Sequence, residues 1–214
     1  MLEQSMPDLT IRAYLEALAG DAPAPGGGSA AALAGALAAA SARMVGSFTV
    51  GKKKYADVEA EIRKHLAAID AVRAEMLALV QDDVTAFGAV GAAYAMPKEA
   101  AEEKSARSAA IQKALRAAAD VPLRLARACA ELAAHLPALL AKGNQNLVSD
   151  VGVAAKLCAA TCECAWLNVE VNLASLKDEA FVSATRVETE ELLAQVRCTC
   201  SEVWEGAAKA LRGE

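Results

Sequence analysis

The sequence predicts an all-α protein, a single-domain antiparallel bundle of long helices that covers residues 1–214. Alanine, the strongest helix former, occurs 54 times, whereas valine, isoleucine and threonine together occur 28 times. Apolar residues also recur every three or four positions through long stretches, which is the helical period. Because no linker, internal repeat or low-complexity segment interrupts these stretches, we expect neither a sheet-based fold nor a second domain.

Seven helical segments are expected along the chain. The second is rich in alanine, which lets neighbouring backbones approach closely and indicates a central helix. The third is the most regular, with Val58, Ile62 and Leu66 at the start of an apolar line that runs to Tyr94. Proline is expected to end the third and fourth segments, because it breaks a helix interior. The segments are 8–19, 29–49, 55–94, 98–119, 122–142, 144–176 and 178–211.

The composition argues against several classes of partner. A formal charge of −5 and an aromatic content of 4% do not suit a nucleic-acid groove, which needs basic patches and stacking platforms. The first residues lack the basic start and apolar core of a signal peptide. The apolar stretch 30–40 is shorter than the roughly 20 residues that cross a bilayer. We therefore expect a cytoplasmic protein that binds neither nucleic acid nor membrane.

The six cysteines are expected to be reduced thiols in such a compartment. Residues two apart on a helix point about 200° away from each other, so neither the pair 162/164 nor the pair 198/200 converges on one metal ion. Cys158 and Cys162 do share a face. We interpret the cysteines as small buried hydrophobes and expect no metal site.

A glycine-rich segment precedes the second helix. Free backbone N–H groups at a helix N-terminus suit a carboxylate, a phosphate or a carbonyl oxygen. A flexible turn with a helix cap is the alternative. The segment reads Pro25, Gly26, Gly27, Gly28 and Ser29.

Asp83 lies on the apolar line of the third segment, between Val80 and Phe87. A carboxylate on that face is desolvated unless it is paired, so its pKa is expected to rise toward the range useful for acid–base chemistry. A structural ion pair is the alternative, although no lysine or arginine stands three or four residues away. The neighbouring Asp82 is turned about 100° from this face and is expected to be solvated or to act as a cap.

Two further groups of residues depart from the apolar pattern. The start of the sixth segment carries Asn144, Asn146, Ser149 and Asp150, more polar side chains than helix capping requires. Asn168 and Asn172 stand one turn apart later in the same segment, and we interpret them as core hydrogen-bonding residues. Asp150 is about 27 Å from Asn168 at 1.5 Å per residue, too far for both to touch one reacting centre.

A run of cations, Lys52, Lys53 and Lys54, precedes Tyr55 at the start of the third segment. Positive charge at a helix N-terminus opposes the helix dipole, so the run indicates an anionic ligand. A solvated helix start is the alternative.

These residues, in this order, resemble the formiminotransferase-cyclodeaminase family, specifically its helical cyclodeaminase domain and the free-standing methenyltetrahydrofolate cyclohydrolases. The resemblance covers residues 8 to 180. The matching blocks are 25–29, Met44 with Val45, 49–55, 82–87, Pro97 with Lys98, 102–107, 110–112, Val121 with Pro122, 143–150, and Asn168 with Asn172.

The resemblance implies a dimeric enzyme of one-carbon metabolism that acts on a reduced folate, possibly with a polyglutamate tail, and uses no metal or cofactor. Asp83 and Asp150 are then the candidate catalytic residues. The candidate substrate-binding residues are Pro25, Gly26, Gly27, Gly28, Ser29, Lys52, Lys53, Lys54, Tyr55, Asn144, Asn146 and Ser149.

Two activities of the family share this chemistry. A cyclohydrolase adds water to the methenyl carbon that bridges N5 and N10, whereas a cyclodeaminase lets N10 attack a formimino carbon on N5 and releases ammonia. We expect the cyclohydrolase, because the chain carries no formiminotransferase module that would supply a cyclodeaminase. A helical interaction module without catalysis is the alternative of another class.

Overall fold

A computed structural model describes residues 5–214, and within them the fold is built from helices without a β-strand. The predicted all-α class is therefore confirmed. Short 3₁₀ segments precede α1, α3 and α5 at Met6–Asp8, Lys53–Val58 and Gln145–Leu147. The α-helices are α1 (Ile11–Ala19), α2 (Gly27–Ser47), α3 (Glu59–Tyr94), α4 (Ala101–Lys142), α5 (Val148–Leu173) and α6 (Glu179–Arg212).

Helix α2 is closely packed along one side, but it is not the central helix that its alanine content predicts, because Leu37 and Met44 are exposed on its other side. It packs against α3 and α5, while α4 packs against α3, α5 and α6. Ala38, Ala39 and Ala42 are fully buried, so the small side chains set a short distance between helices. A Cβ on Gly46 would stand only 2.9 Å from Leu66 Cγ of α3. This close packing positions the N-terminus of α2 against the second half of α3.

The fourth and fifth predicted segments form one helix, so the expected break at Pro122 is wrong. Helix α4 runs for 42 residues and contains both Pro122 and Pro137. A proline removes one backbone N–H and frees the carbonyl four residues earlier, here that of Ala118. The side-chain amide of Asn172 donates to this Ala118 oxygen at 3.3 Å. A hydrogen bond from another helix thus replaces the one that proline removes.

The third segment also differs from its prediction. Residues 53–58 form a 3₁₀ turn that is kinked at Tyr55, and α3 begins only at Glu59. At the other end, Phe87 and Tyr94 are not core residues but are exposed over 49% and 46% of their surface. The apolar line therefore leaves the core after Val80, which places Asp83 at the edge of the buried region.

Four of the cysteines, Cys129, Cys158, Cys162 and Cys200, are buried as predicted, but Cys164 and Cys198 are exposed. Two helical runs, Gly27–Ser47 and Lys53–Tyr94, are long and apolar enough to cross a bilayer by length and composition. The apolar part of α2 is thus longer than the sequence stretch suggested. In the most apolar stretch of α2, 56% of the residues are buried among the other helices, as in a helix that packs against the core of a bundle.

Candidate active site

A cavity of about 390 Å³ lies where the start of α2 meets α3, α4 and α5. We call it the Asp83 cavity, and its volume is in the range of small-ligand sites. It combines apolar walls with a few polar groups, the usual composition of such sites. It is lined by Pro23, Ala24, Gly26, Gly27, Gly28, Asp83, Ala86, Phe87, Val90, Tyr94, Leu115, Ala118, Asn168, Val171, Asn172 and Ser175.

Asp83 is held against the N-terminus of α2. The backbone N–H of Ser29 donates to its Oδ2 at 2.9 Å. Gly28 permits this approach, because a Cβ at that position would overlap the carboxylate, standing 2.7 Å from Asp83 Cγ. Burial raises the pKa of Asp83 above the ordinary value, and the Ser29 hydrogen bond only partly opposes the rise. The pairing expected of a structural ion-pair residue is absent among residues 5–214.

Asp82 has a different environment. It accepts a hydrogen bond from Arg124 Nη1 at 3.0 Å, and the same guanidinium contacts Glu75 at 2.7 Å. The two aspartates point about 100° apart on the helix. Asp82 is therefore paired and partly exposed, whereas Asp83 faces the cavity.

A chain of hydroxyl groups supports Ser29 from behind. Tyr14 of α1 is 4% exposed, and its hydroxyl lies 3.0 Å from Ser29 Oγ. Ser29 Oγ donates to the backbone oxygen of Val80 at 3.0 Å, so the Tyr14 hydroxyl donates to Ser29 Oγ. The chain fixes the residue whose backbone N–H holds Asp83. Tyr14 was not singled out in the sequence, since nothing local relates it to α3.

The Tyr14→Phe variant is expected to lose this support while keeping the aromatic ring in the core. One hydrogen bond is worth about 0.5–1.5 kcal/mol net. For a chain of this length that lowers the thermal midpoint by roughly 2–4 °C per kcal/mol. Thermal denaturation and turnover measured on the same preparation check this. A midpoint and a turnover identical to those of the wild type would contradict the supporting role.

Asn168 and Asn172 belong to the cavity, although their sequence pattern suggested core residues. The amide nitrogen of Asn168 donates to the Cys164 oxygen at 2.8 Å, and that of Asn172 donates to the Asn168 oxygen at 2.9 Å as well as to Ala118. The amide nitrogen of each side chain is therefore already hydrogen-bonded to a backbone carbonyl. The side-chain oxygens remain as acceptors for the N–H groups of a ligand.

The glycine-rich segment is only partly in the cavity wall. Gly26, Gly27 and Gly28 line it, and a Cβ on Gly26 or Gly27 would meet nothing within 4 Å. Pro25 is buried beneath the wall, and Pro23 and Ala24 line the cavity in its place.

The remaining sequence candidates lie at the other end of the bundle. Lys52, Lys53 and Lys54 follow the C-terminus of α2, about 30 Å from Gly28 at 1.5 Å per residue. The Tyr55 hydroxyl donates to Asn144 Oδ1 at 3.3 Å. Asn146, Ser149 and Asp150 belong to the turn and first helical turn next to Asn144.

One chain therefore does not bring Asp150 or the three lysines together with Asp83. The hydrogen bonds of Asn144 also have a structural purpose, since its backbone N–H donates to Thr49 Oγ1 at 2.9 Å and its amide to the Phe48 oxygen at 3.1 Å. Within residues 5–214, no three His, Cys, Asp or Glu side chains are arranged to hold a metal ion.

Comparison with known proteins agrees with the fold. The model of the formiminotransferase-cyclodeaminase family matches residues 10–191. The chain is 44% identical to a methenyltetrahydrofolate cyclohydrolase of Methylorubrum extorquens, over 92% of this chain and 94% of that protein. It is 36% identical to the formimidoyltransferase-cyclodeaminase of Rattus norvegicus over 91% of this chain, but spans only 36% of that longer protein.

A solved structure shows the same architecture. The formiminotetrahydrofolate cyclodeaminase of Thermotoga maritima superposes with a TM-score of 0.79 at 33% identity, over 96% of this chain and 97% of that one. The match in sequence extends from α1 into α6, and the match in structure covers nearly the whole chain. The chain belongs to the formiminotransferase-cyclodeaminase family.

Proposed function

We propose that this chain is a cytoplasmic methenyltetrahydrofolate cyclohydrolase that hydrolyses 5,10-methenyltetrahydrofolate to 10-formyltetrahydrofolate without a metal or cofactor. The single observation that carries the proposal is Asp83, a carboxylate of raised pKa that faces a cavity of ligand size. The similarity to the Methylorubrum cyclohydrolase over nearly the full length of both chains supports the choice of reaction.

In this mechanism Asp83 transfers one proton twice. As a carboxylate it takes a proton from a water molecule while the water oxygen bonds to the cationic methenyl carbon. The protonated Asp83 then returns the proton to N5 as the bond from carbon to N5 breaks. The hydroxyl of the adduct loses its proton to solvent and becomes the formyl oxygen on N10. A base whose pKa is raised toward neutrality suits both steps, because it accepts and releases a proton readily.

The other cavity residues orient the substrate. Asn168 and Asn172 offer side-chain oxygens to the N–H groups of the pterin ring. The N-terminal backbone of α2 can donate to its carbonyl oxygen. Phe87 and Val171 provide apolar surface for the rings. These contacts hold the methenyl carbon within reach of Asp83 and its water.

The cyclodeaminase reaction is the second candidate, supported by the similarity to the Thermotoga and Rattus proteins. This reaction also requires a proton-transfer group in the site, since a proton must again reach a leaving nitrogen. The assay must therefore test both substrates. We expect the purified protein to remove the near-ultraviolet absorbance of methenyltetrahydrofolate faster than the uncatalysed reaction, and to release little ammonia from 5-formiminotetrahydrofolate.

Ammonia release that exceeds the methenyl hydrolysis rate would reverse the assignment to cyclodeaminase. A protein that accelerates neither reaction and binds no reduced folate would favour the non-catalytic interaction module. That alternative leaves the desolvated position of Asp83 unexplained.

We also propose that the enzyme is a homodimer, with α2 in the interface. Leu37, Met44 and Phe48 form a stripe along the face of α2 that is turned away from α3 and α5. Leu37 and Phe48 are exposed over 55% and 52% of their surface. Large apolar side chains repeated on one helix face are typical of a surface that is covered by a partner. Asp150, which one chain keeps away from its own Asp83, reaches an Asp83 cavity only from a second chain.

Light scattering should give twice the monomer mass for the wild type, and the Leu37→Glu variant should shift the mass to that of the monomer, because it places a charge in an apolar contact. The matched control is Leu211→Glu, since Leu211 is 66% exposed at the end of α6. A monomeric wild type, or a dimer that is insensitive to Leu37→Glu, would contradict the proposal.

A further inference from the structure

A second pocket, of about 270 Å³, adjoins the Asp83 cavity and is lined by four cations. Lys98 comes from the connection between α3 and α4, Lys104 and Arg107 from the first turns of α4, and Lys177 from the connection between α5 and α6. We call it the basic pocket. The protein has a net charge of −5, so these four cations form a local excess of positive charge that favours an anionic ligand.

Carboxylates of the protein do not neutralise this pocket. Elsewhere on α4, Arg116 pairs with Asp178 at 2.9 Å and Arg124 pairs with Glu75 at 2.7 Å. None of the four pocket cations makes an ion pair with any residue in the range 5–214. The nearby Glu103 is turned to the helix start, where its Oε2 accepts from the backbone N–H groups of Glu99 and Ala100.

The position of the cations has an energetic cost without a ligand. Lys104 stands in the first turn of α4, where positive charge opposes the helix dipole, and Arg107 lies about one turn further on. Arg107 is nevertheless fixed in place, since Nε and Nη2 donate to the Tyr94 oxygen at 3.2 and 3.0 Å. Its Nη1 remains as a donor for an anion. Lys177 is placed by Ser108, whose Oγ lies 3.4 Å from its Nζ.

The two cavities share a wall. Tyr94 and Ser175 line both of them. Asp83 and Tyr94 are 11 positions apart on α3, which is about 16 Å at 1.5 Å per residue. In a folate, one benzoyl ring and one amide separate the reacting ring system from the glutamyl carboxylates. An extended tail therefore reaches from the Asp83 cavity to lysine side chains at the far side of Tyr94.

We propose that the basic pocket binds the glutamyl carboxylates of the substrate's tail, in the same chain whose Asp83 acts on the ring system. The proposal rests on the proposed function. The sequence indicated an anionic ligand at Lys52–Lys54, which lie at the opposite end of α2, whereas the proposal places the anionic tail at Lys98, Lys104, Arg107 and Lys177.

The test compares tetrahydrofolate with tetrahydropteroate, two non-reacting ligands that share the ring system; tetrahydropteroate ends in a benzoate carboxylate where tetrahydrofolate carries the glutamyl amide. Their dissociation constants are measured by anaerobic calorimetry. The wild type is expected to bind tetrahydrofolate at least tenfold more tightly. In the double variant Lys98→Gln/Lys104→Gln this preference should fall to about twofold or less, with tetrahydropteroate binding unchanged. Added salt should weaken the binding of tetrahydrofolate more than that of tetrahydropteroate, which carries one carboxylate instead of two.

The matched control is Lys64→Gln/Lys209→Gln, which removes the same charge from exposed positions on α3 and α6 and should keep the full preference. Equal affinity of the wild type for both ligands, or a full preference in the Lys98/Lys104 variant, would overturn the proposal. So would a preference that is lost in Lys52→Ala/Lys53→Ala/Lys54→Ala instead. Because binding is measured without turnover, an inactive protein that shows the expected preference would contradict only the cyclohydrolase reaction.

Discussion

The Asp83→Asn variant is expected to lose 10²–10⁴-fold in kcat/KM for methenyltetrahydrofolate, the usual cost of removing a general acid–base group. Asparagine keeps the shape of the side chain, and its oxygen still accepts from the Ser29 backbone N–H, which lies 2.9 Å from the present Oδ2. The substitution removes the ability to transfer a proton, together with the negative charge of the ionised side chain. Steady-state rates from the decay of substrate absorbance give the measurement.

The neighbouring carboxylate supplies the control. Asp82→Asn removes an equal charge one position away, but from a side chain that pairs with Arg124 rather than facing the cavity. We expect kcat/KM of that variant to stay within a few-fold of the wild type. Near-normal turnover by Asp83→Asn, or an equal loss in both variants, would show that Asp83 is not the proton-transfer group.

Stability should move in the opposite direction from activity at Asp83. Burial raises the pKa of this carboxyl in the folded state, so the folded protein binds the proton more tightly than the unfolded chain does. The free energy of unfolding therefore falls as the pH rises through the window from the ordinary carboxyl pKa, about 3.9, to the raised folded value. Above that pH window Asp83 is ionised, and its desolvated charge lowers the free energy of unfolding. Thermal denaturation at pH 7 should give Asp83→Asn a midpoint equal to or higher than that of the wild type.

The same pKa predicts the pH dependence of the reaction. The acidic limb of the kcat/KM profile should have its midpoint above the ordinary carboxyl value, because protonated Asp83 cannot accept a proton from water. Asp83→Asn should remove this limb from its residual activity. An acidic limb that persists in the variant would have to come from another group.

The Gly28→Ala variant is expected to lose about 10²-fold in activity, since a misplacement of roughly 1 Å at a reacting group costs that much. The new Cβ would overlap the Asp83 carboxylate and force it away from the Ser29 backbone N–H. Overpacking of this kind also lowers the free energy of unfolding by about 1–3 kcal/mol. Activity and chemical denaturation together give the measurement.

Gly27→Ala is the matched stability control, because a Cβ there meets nothing within 4 Å and alanine favours the first turn of a helix. Its free energy of unfolding should be equal to or above that of the wild type. A Gly28→Ala protein as stable and as active as the wild type would mean that the carboxylate has room to move, and that close approach to α2 does not matter for the reaction.

The sequence by itself determined the helical class, and it singled out two residues that meet in the Asp83 cavity. The alanine content and the apolar period are local properties, and local properties decide whether a segment is helical. Asp83 stood out because a carboxylate interrupts an apolar line, and Gly28 because consecutive glycines precede a helix. The structure brings these two residues together at the start of α2, where the Asp83 carboxylate fits because Gly28 has no side chain.

The tertiary structure decided everything that depends on contacts between distant segments. Helix α4 continues through Pro122 because Asn172, from α5, donates to the carbonyl that proline frees. That contact also carries Asn172 into the cavity. The packing of α5 against α2 places Asp150 at the same end of the bundle as Lys52–Lys54, opposite to Asp83. The basic pocket draws its cations from positions 98 to 177, and only the packing of three helices makes such scattered charges meet.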